Sequence, residues 1–344
     1  MPMTERENLL RVMNGQEPAW LPRKGTLQFR NDPEDHKPCS QGVNLQIAPP
    51  RVSEKGGRID MYGVEYEPVA SIGGAALPVP NQFIMEDVTK WKDIVKLPDL
   101  KDFPWQAACE KAMANLDREN CVIQYGAGGG YFMPLMNMMG FTEGLIALSE
   151  EPEACHELFE YISEYACTIM ENTIDIIKPD LISVGDDTAA ARAPFISPAM
   201  YREMIKPYHA RIGKFAQDRG LPVEMHCCGK CEDFIEDWRD FGVKLWNPAQ
   251  IQNDLAGIKQ KYGNDMIIVG GWDSSGPPGW IGSSEEVVRQ AVRDCVDSWA
   301  PGGGFCFWGS FYGPPDDQRF IDHAFWITDE YNKYGRTYYE RNYK

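Results

Sequence analysis

The sequence predicts an α/β protein, a (β/α)8 barrel with an N-terminal helical and loop cap. Two observations carry this expectation. From Cys121 onward, short β-branched runs alternate with amphipathic helical stretches, the pattern of parallel βα units. Polar and unusual residues gather just after those runs, where a barrel places the loops that build its site. A chain of 344 residues exceeds one small domain, yet repeated βα units carry such a length around a single core. An open, doubly wound sheet is the competing architecture.

Taken in order, residues 1–120 are rich in Pro and Gly and offer only short possible strands around KGGRIDMYGVEYEPV. They are expected to supply an N-terminal helix, the first two barrel strands and a cap over the barrel, with Trp105 and its apolar neighbours packed beneath the cap. The runs CVIQY, DLISV, PVEMH, VKLWN, MIIVG and GFCFW follow as the remaining strands. Helical patterns lie between them, after Thr142, from Ser197-Pro198, after Glu232, and from Ser283-Ser284-Glu285-Glu286. Ser197 can cap while Pro198 occupies the first turn, and Ser283 with Glu286 has capping-box spacing.

Composition narrows the function classes. Hydrophobic residues make up 43% and charged residues 25%, which suits a globular chain with a sizeable core and no extensive disordered region. With 34 Lys plus Arg against 51 Asp plus Glu, the formal charge is −17, which repels nucleic-acid phosphates and anionic membranes. A local basic patch for small anions is still compatible with that net charge. The stretch MPMTERENLLRVMNGQEP lacks the apolar core of a secretory signal. No apolar run approaches the ~20 residues of a membrane span. The expected compartment is the cytoplasm, and the 10 cysteines are expected as reduced thiols, some buried and a few available to a metal.

The sharpest chemical signal is MHCCGKC, residues 225–231, directly after a strand run. On an extended chain alternate residues share a face, so His226 and Cys228 point together and Cys227 points away. Imidazole nitrogen and thiolate sulfur are zinc ligands, and a catalytic zinc keeps three protein ligands and an exchangeable fourth position. Cys306, in the last strand run GGGFCFWGS, is the natural third ligand because it reaches the same barrel mouth. Two other readings stay open: Cys228-Gly-Lys-Cys231 is formally a CxxC, a redox pair or half of a structural zinc site, and the His and thiols can be buried without any metal.

This His-x-Cys pair with a lone downstream Cys is similar to the zinc motif of methylcorrinoid methyltransferases related to uroporphyrinogen decarboxylase. The resemblance extends through TERENLLRVMNGQEP, IDMYGVEYEP, Gly185-Asp186-Asp187, ISPAMYREMIKPYH, HCCG, GVKLWNPAQ, GNDMIIVGGWD and APGGGF, and so covers most of the chain as one such domain over 1–344. It implies a zinc enzyme that exchanges methyl groups with a corrinoid (cobalamin) protein as partner. The chain itself has no Asp-x-His-x-x-Gly segment of an appended cobalamin domain.

Other residues expected at the mouth are Asp186 and Asp187, which can orient His226, bind substrate or cap a helix. Tyr125, Gln250, Trp272, Asp273, Trp308 and Tyr312 are expected to line the pocket, its aromatics suiting an apolar or planar substrate. Glu224 shares strand parity with His226 and, if it faces the barrel interior, requires a partner there. The glycines Gly126, Gly128, Gly129 and Gly130 lack the Lys-Ser/Thr ending of a P-loop and read as close backbone approach to a ligand.

Zinc can serve such a site in two ways: by activating a thiol acceptor for attack on a cobalt-bound methyl group, or by polarising the heteroatom of a methyl donor such as a methoxylated aromatic compound, an O-demethylase reaction. A metal-free decarboxylase is the alternative enzyme. Its resemblance is weaker, because LPRKGTLQFRND supplies Arg23, Lys24 and Arg30 but not the family's Arg-Gln-Ala-Gly-Arg segment. A non-catalytic barrel that binds a corrinoid or a metal is the third reading.

Overall fold

The computed structural model describes residues 3–24, 36–53, 57–69, 75–126, 128 and 130–343; Arg30 and Gly129 lie outside them. Helix α1 (Glu5–Met13) opens on a reciprocal capping box: Thr4 Oγ1 accepts the Glu7 N–H while the Glu7 carboxylate accepts the Thr4 N–H. Its apolar side, Leu9, Val12 and Met13, packs on Cys39, Val122, Leu181, Leu245, Ile267, Val269 and Cys306, all from strands of the barrel or the residues leading into them. Each such aliphatic side chain gains about 1.5–3 kcal/mol on burial, so α1 is a plug in the N-terminal end of the barrel. Arg6 fastens it through Asp180, at 2.5 Å.

Strand β1 (Ser40–Gly42) belongs to the barrel. Strands β2 (Arg51–Val52), β3 (Arg58–Ile59), β4 (Glu65–Val69) and β5 (Ala75–Pro78) form a separate antiparallel sheet in that order. This sheet is the expected cap: Met61 and Tyr62, in its β3–β4 turn, line a small cavity together with Tyr125 and Gly126 at the end of the next barrel strand. After α2 (Trp91–Ile94), helix α3 (Trp105–Met113) packs against the long α6 (Pro152–Ile177). Trp105 is therefore a half-buried residue of the outer helical layer, its ring tilted against Phe103 with centroids 4.6 Å apart.

The barrel continues through β6 (Val122–Tyr125), β7 (Leu181–Gly185), β8 (Val223–His226), β9 (Val243–Ala249), β10 (Ile267–Gly270) and β11 (Phe305–Phe307). With β1 they form one parallel sheet in the order β1-β6-β7-β8-β9-β10-β11. The eighth stave is the short extended segment Pro22–Lys24. Lys24 N–H donates to Phe307 and Phe307 N–H to Pro22, both at 2.9 Å, and Cys39 N–H donates to Arg23 at 3.0 Å. It bridges the two edge strands, so the sheet is closed and the open doubly wound alternative is excluded.

Helices cover the outside: α4 (Phe132–Met139), α5 (Phe141–Glu150) and α6 after β6; α7 (Pro198–Met200) and α8 (Lys206–Gln217), joined by a π turn, after β7; α9 (Ile235–Arg239) after β8; α10 (Leu255–Tyr262) after β9; α11 (Glu285–Trp299) after β10; α12 (Gln318–Glu330) and α13 (Tyr338–Tyr343) after β11. Ser197 caps as expected, accepting the Met200 N–H. In α11 the cap is Ser284, one residue beyond the expected Ser283, whose hydroxyl donates instead to the Pro277 carbonyl. Adjacent serines allow either register, and the tertiary acceptor at Pro277 selects one. All 10 cysteines are free. Among the described residues no helix is long and apolar enough to cross a membrane.

Candidate metal centre

Strand alternation on β8 sends Val223 and Met225 outward into the helical layer and Glu224 and His226 into the lumen. At the strand's C-terminal end the chain turns through Cys227–Cys231. Side chains of neighbouring loops clamp this turn: Asp187 Oδ1 accepts the Cys228 N–H at 2.8 Å, Gln250 Oε1 accepts the Gly229 N–H at 2.6 Å, and Asn253 Oδ1 accepts the Cys231 N–H at 2.9 Å. Gly229 has φ +90°, and a Cβ there would lie 2.4 Å from the Ala189 carbonyl oxygen, so only glycine fits the turn.

The clamped turn brings His226, Cys228 and Asp187 together. His226 Nε2 lies 3.9 Å from Cys228 Sγ and 4.0 Å from Asp187 Oδ1, and the three ligand atoms are all within 4.8 Å of one another. Tetrahedral zinc, with bonds of about 2.0–2.3 Å, places its ligand atoms roughly 3.3–3.7 Å apart, so the two separations from His226 Nε2 are each a few tenths of an ångström longer than ligation requires. The His226 Nδ1 is 2.7 Å from Asn247 Oδ1 on β9. That oxygen only accepts, so Nδ1 carries the proton and Nε2 presents its lone pair to the cluster. Burial first, and then the Asp187 carboxylate, push the Cys228 thiol well above its ordinary range; a cation is what would draw it to thiolate.

Cys306 does not join this group. Its side chain points into the lumen nearer the plug, where its sulfur lies 3.7 Å from Cys39 Sγ among apolar residues. Cys227 points away from the mouth as alternation requires, fully buried with Sγ 3.5 Å from Thr188 Oγ1. Cys231 is also fully buried, its thiol donating to the carbonyls of Cys227 and Gly229. Among the described residues, neither joins a group of three metal-compatible side chains.

The two aspartates part company. Asp187 is half-exposed at the mouth. Asp186 is buried, and its carboxylate accepts the N–H groups of Tyr131, Phe132 and Met133 at 2.7, 2.8 and 2.9 Å, capping the start of α4 from a different βα unit. His209 Nε2 backs it at 3.4 Å. The Asp186 carboxylate thus fixes the start of a helix.

Among the expected lining residues, Tyr312 is 57% exposed. Burial of its phenol, and then the nearby Cys228 and Asp187, raise its pKa. Gln250 holds the turn at Gly229. Trp272 is buried, edge-on to Phe307, and Asp273 accepts the N–H groups of Ser275 and Gly276 to shape its own turn. Tyr125 points outward, its hydroxyl 2.6 Å from Thr173 Oγ1 on α6. Trp308 faces the lumen, with Lys24 Nζ 5.9 Å from its ring centroid. Gly126 is required by backbone packing, since a Cβ there would lie 2.4 Å from the Ser183 carbonyl oxygen. Asn247 and Gln124 were not singled out from the sequence, although Asn247 stands within the quoted run GVKLWNPAQ.

Comparison with known proteins agrees with this architecture. Residues 60–309 match the family described as uroporphyrinogen decarboxylase (URO-D). The fold is similar to that of a methyltransferase from Methanosarcina mazei, with a TM-score of 0.59 and 13% identity over 96% of this chain and 99% of that one. No curated protein matches the sequence. The closed barrel, the plug helix and a family match over most of the chain lead to one statement: this protein belongs to the uroporphyrinogen decarboxylase family.

Proposed function

We propose that this protein is a zinc-dependent methyltransferase that exchanges a methyl group between a small molecule and the cobalt of a corrinoid protein. The observation that carries the reading is the His226–Cys228–Asp187 group, with His226 held in a metal-ready tautomer by Asn247. The named likeness of the Methanosarcina mazei protein supports the same reaction class. Bound zinc would supply Lewis acidity, lowering the pKa of a thiol acceptor or polarising the oxygen of a methyl ether donor, as in O-demethylation of a methoxylated aromatic.

His226 and Cys228 are the first two ligands in this reading. The sequence resemblance puts Cys306 in the third place, whereas Asp187 is the donor already within reach, and we assign it the role. Asp187 also fixes the backbone of Cys228, so one carboxylate sets both the turn and the cluster. Tyr312, protonated through neutral pH, would hydrogen-bond the heteroatom from which the methyl group leaves or to which it adds. A corrinoid protein would dock at the mouth, where Trp280 and Tyr312, paired backbone to backbone, form an exposed aromatic rim.

The first test is metal content of untagged protein by elemental analysis, followed by methyl-transfer assays with methylcobalamin and thiols and with reduced cobalamin and methyl ethers. About one zinc per chain is expected, as for a single catalytic site. No zinc after reconstitution under reducing conditions overturns the proposal and returns metal-free decarboxylation or ligand binding to the front.

A further inference from the structure

A cavity of about 870 Å³ opens between the cap sheet and the segment that leads into it from β1, lined by none of His226, Cys228 and Asp187. Its volume is within the range of ligand sites. Three cations from separate elements line it: Arg51 on β2, Arg58 on β3 and Lys96 just after α2. Among the described residues its wall has a single acid, Asp60, and that carboxylate is occupied. Its Oδ1 accepts the N–H groups of Tyr62, Gly63 and Val64, and its Oδ2 the Tyr66 hydroxyl, all at 3.0 Å.

The cations have no such match. Arg51 donates to the Asp60 carbonyl and Lys96 to the Lys92 carbonyl, while the Arg58 guanidinium lies 4.3 Å from the Tyr66 ring centroid. In the barrel lumen, by contrast, Lys24 is paired with Glu224, which also accepts from Gln124 at 2.6 Å. Among the described residues no carboxylate pairs with Arg51, Arg58 or Lys96. In a chain of net charge −17, three cations gathered around one cavity without paired carboxylates point to an anion. Three cations less one carboxylate leave the wall at +2. A phosphate monoester, close to a dianion at neutral pH, offsets that charge, whereas a carboxylate offsets half of it.

Leu45, Ile47 and Met61 line this cavity and also a second, more enclosed one of about 140 Å³ that runs on toward Tyr125 and Ala166. An apolar cavity of this size holds a group as large as benzene. The hydroxyl of Tyr165, another of its walls, is buried with no hydrogen-bond partner among the described residues. An unpaired buried hydroxyl marks a space that the protein's own atoms do not complete.

We propose that the two cavities form one binding site for a free phosphate monoester with a short, mainly apolar tail. Arg51, Arg58 and Lys96 hold the phosphate, and the tail passes Leu45, Ile47 and Met61 into the smaller cavity. The site is separate from the metal centre and does not depend on the reaction proposed for it.

The test is isothermal titration calorimetry of the full chain with hexyl phosphate, inorganic phosphate, hexanoate and 1-hexanol. Hexyl phosphate should bind at least about ten-fold more tightly than inorganic phosphate, the gain from burying a few methylenes. It should exceed 1-hexanol by at least as much, through hydrogen bonds to a charged group, and should exceed hexanoate several-fold. Arg51→Gln combined with Lys96→Gln, both at exposed positions, should weaken hexyl phosphate about ten-fold and leave 1-hexanol unchanged. Ala166→Leu fills the smaller cavity and should bring hexyl phosphate down to the level of inorganic phosphate; if that variant does not fold, the wild-type series and the double variant still decide. Vesicles containing phosphatidic acid should not sediment the protein, because its net charge of −17 is repelled by an anionic bilayer. Hexyl phosphate binding no better than 1-hexanol or hexanoate, binding indifferent to the double variant, or sedimentation with the vesicles overturns the proposal. No metal or corrinoid enters the titration, so either result leaves the reading of the metal centre to its own test.

Discussion

The Nδ1 of His226 lies 2.7 Å from Oδ1 of Asn247 on the neighbouring strand, and the two residues are also register partners across the β8–β9 ladder. One strand pairing therefore sets both the height of the imidazole at the barrel mouth and the nitrogen left free for a metal. Removing that acceptor frees the ring without removing the ligand. Asn247→Ala should lower zinc affinity about 10–100-fold, read by competition with a chromogenic chelator. Unchanged affinity would mean that the tautomer is fixed elsewhere.

The third ligand is decided by comparing two variants. Asp187→Ala should lose most of the bound zinc and Cys306→Ala should keep it, because among the described residues it is Asp187 that stands with His226 and Cys228. Elemental analysis after dialysis checks both. Loss confined to Cys306→Ala would show that the Cys39–Cys306 contact opens when the ion binds.

Asp186 is expected to matter for stability more than for chemistry. Asp186→Ala strands three backbone N–H groups at the start of α4, and each buried donor without an acceptor costs about 1–3 kcal/mol. The denaturant midpoint should fall markedly, while zinc content at low temperature stays near one per chain. Full stability with lost activity would instead place Asp186 in the reaction.

Gly229→Ala should damage both properties together. The added methyl collides with the Ala189 carbonyl in a left-handed turn, a strain of about 1–3 kcal/mol. The turn that carries Cys228 must then shift, so zinc affinity should fall along with the unfolding midpoint. Retained affinity in a destabilised variant would separate the turn from the metal centre.

Lys259 gives a pH signature. Burial lowers its pKa from 10.5 to about 8, and its ammonium donates to the Gly303 carbonyl at 2.6 Å. As pH falls from 10.5 to 8 the unfolded chain takes up this proton before the folded one does, so the lysine's cost to folding grows across that window and is full below it. Lys259→Met should therefore gain stability relative to wild type near pH 7 and lose that advantage as pH approaches 10.5, measured by urea unfolding at each pH. A pH-independent difference would show that packing alone is responsible.

The strands after Cys121 were legible because each is a compact apolar or β-branched run between amphipathic stretches, and every one of CVIQY, DLISV, PVEMH, VKLWN, MIIVG and GFCFW overlaps a barrel strand, β7 and β9 running one and two residues beyond their runs. The staves at Pro22–Lys24 and Ser40–Gly42 were not, since segments this short carry no periodicity. Strand parity likewise paired His226 with Cys228, turned Cys227 away and placed Glu224 in the lumen needing a partner. It could not supply the height of Cys306 relative to the mouth, because that height depends on how far each strand is staggered against its neighbours. Nor could it separate Asp186 from Asp187: consecutive residues leaving a strand diverge, and only the position of α4 shows which one meets its N-terminus.

The sequence by itself determined the alternation that makes a barrel, the metal-compatible side chains at the end of β8 and the net negative charge, because these depend only on residue type and local period. The tertiary structure decided which distant groups complete the site: Asp187 beside Cys228, Asn247 behind His226, and Lys24 against Glu224 in the lumen. Those pairings follow from closure of the sheet, which brings residues far apart in the chain to the same height and fixes them there by backbone hydrogen bonds that no local pattern encodes.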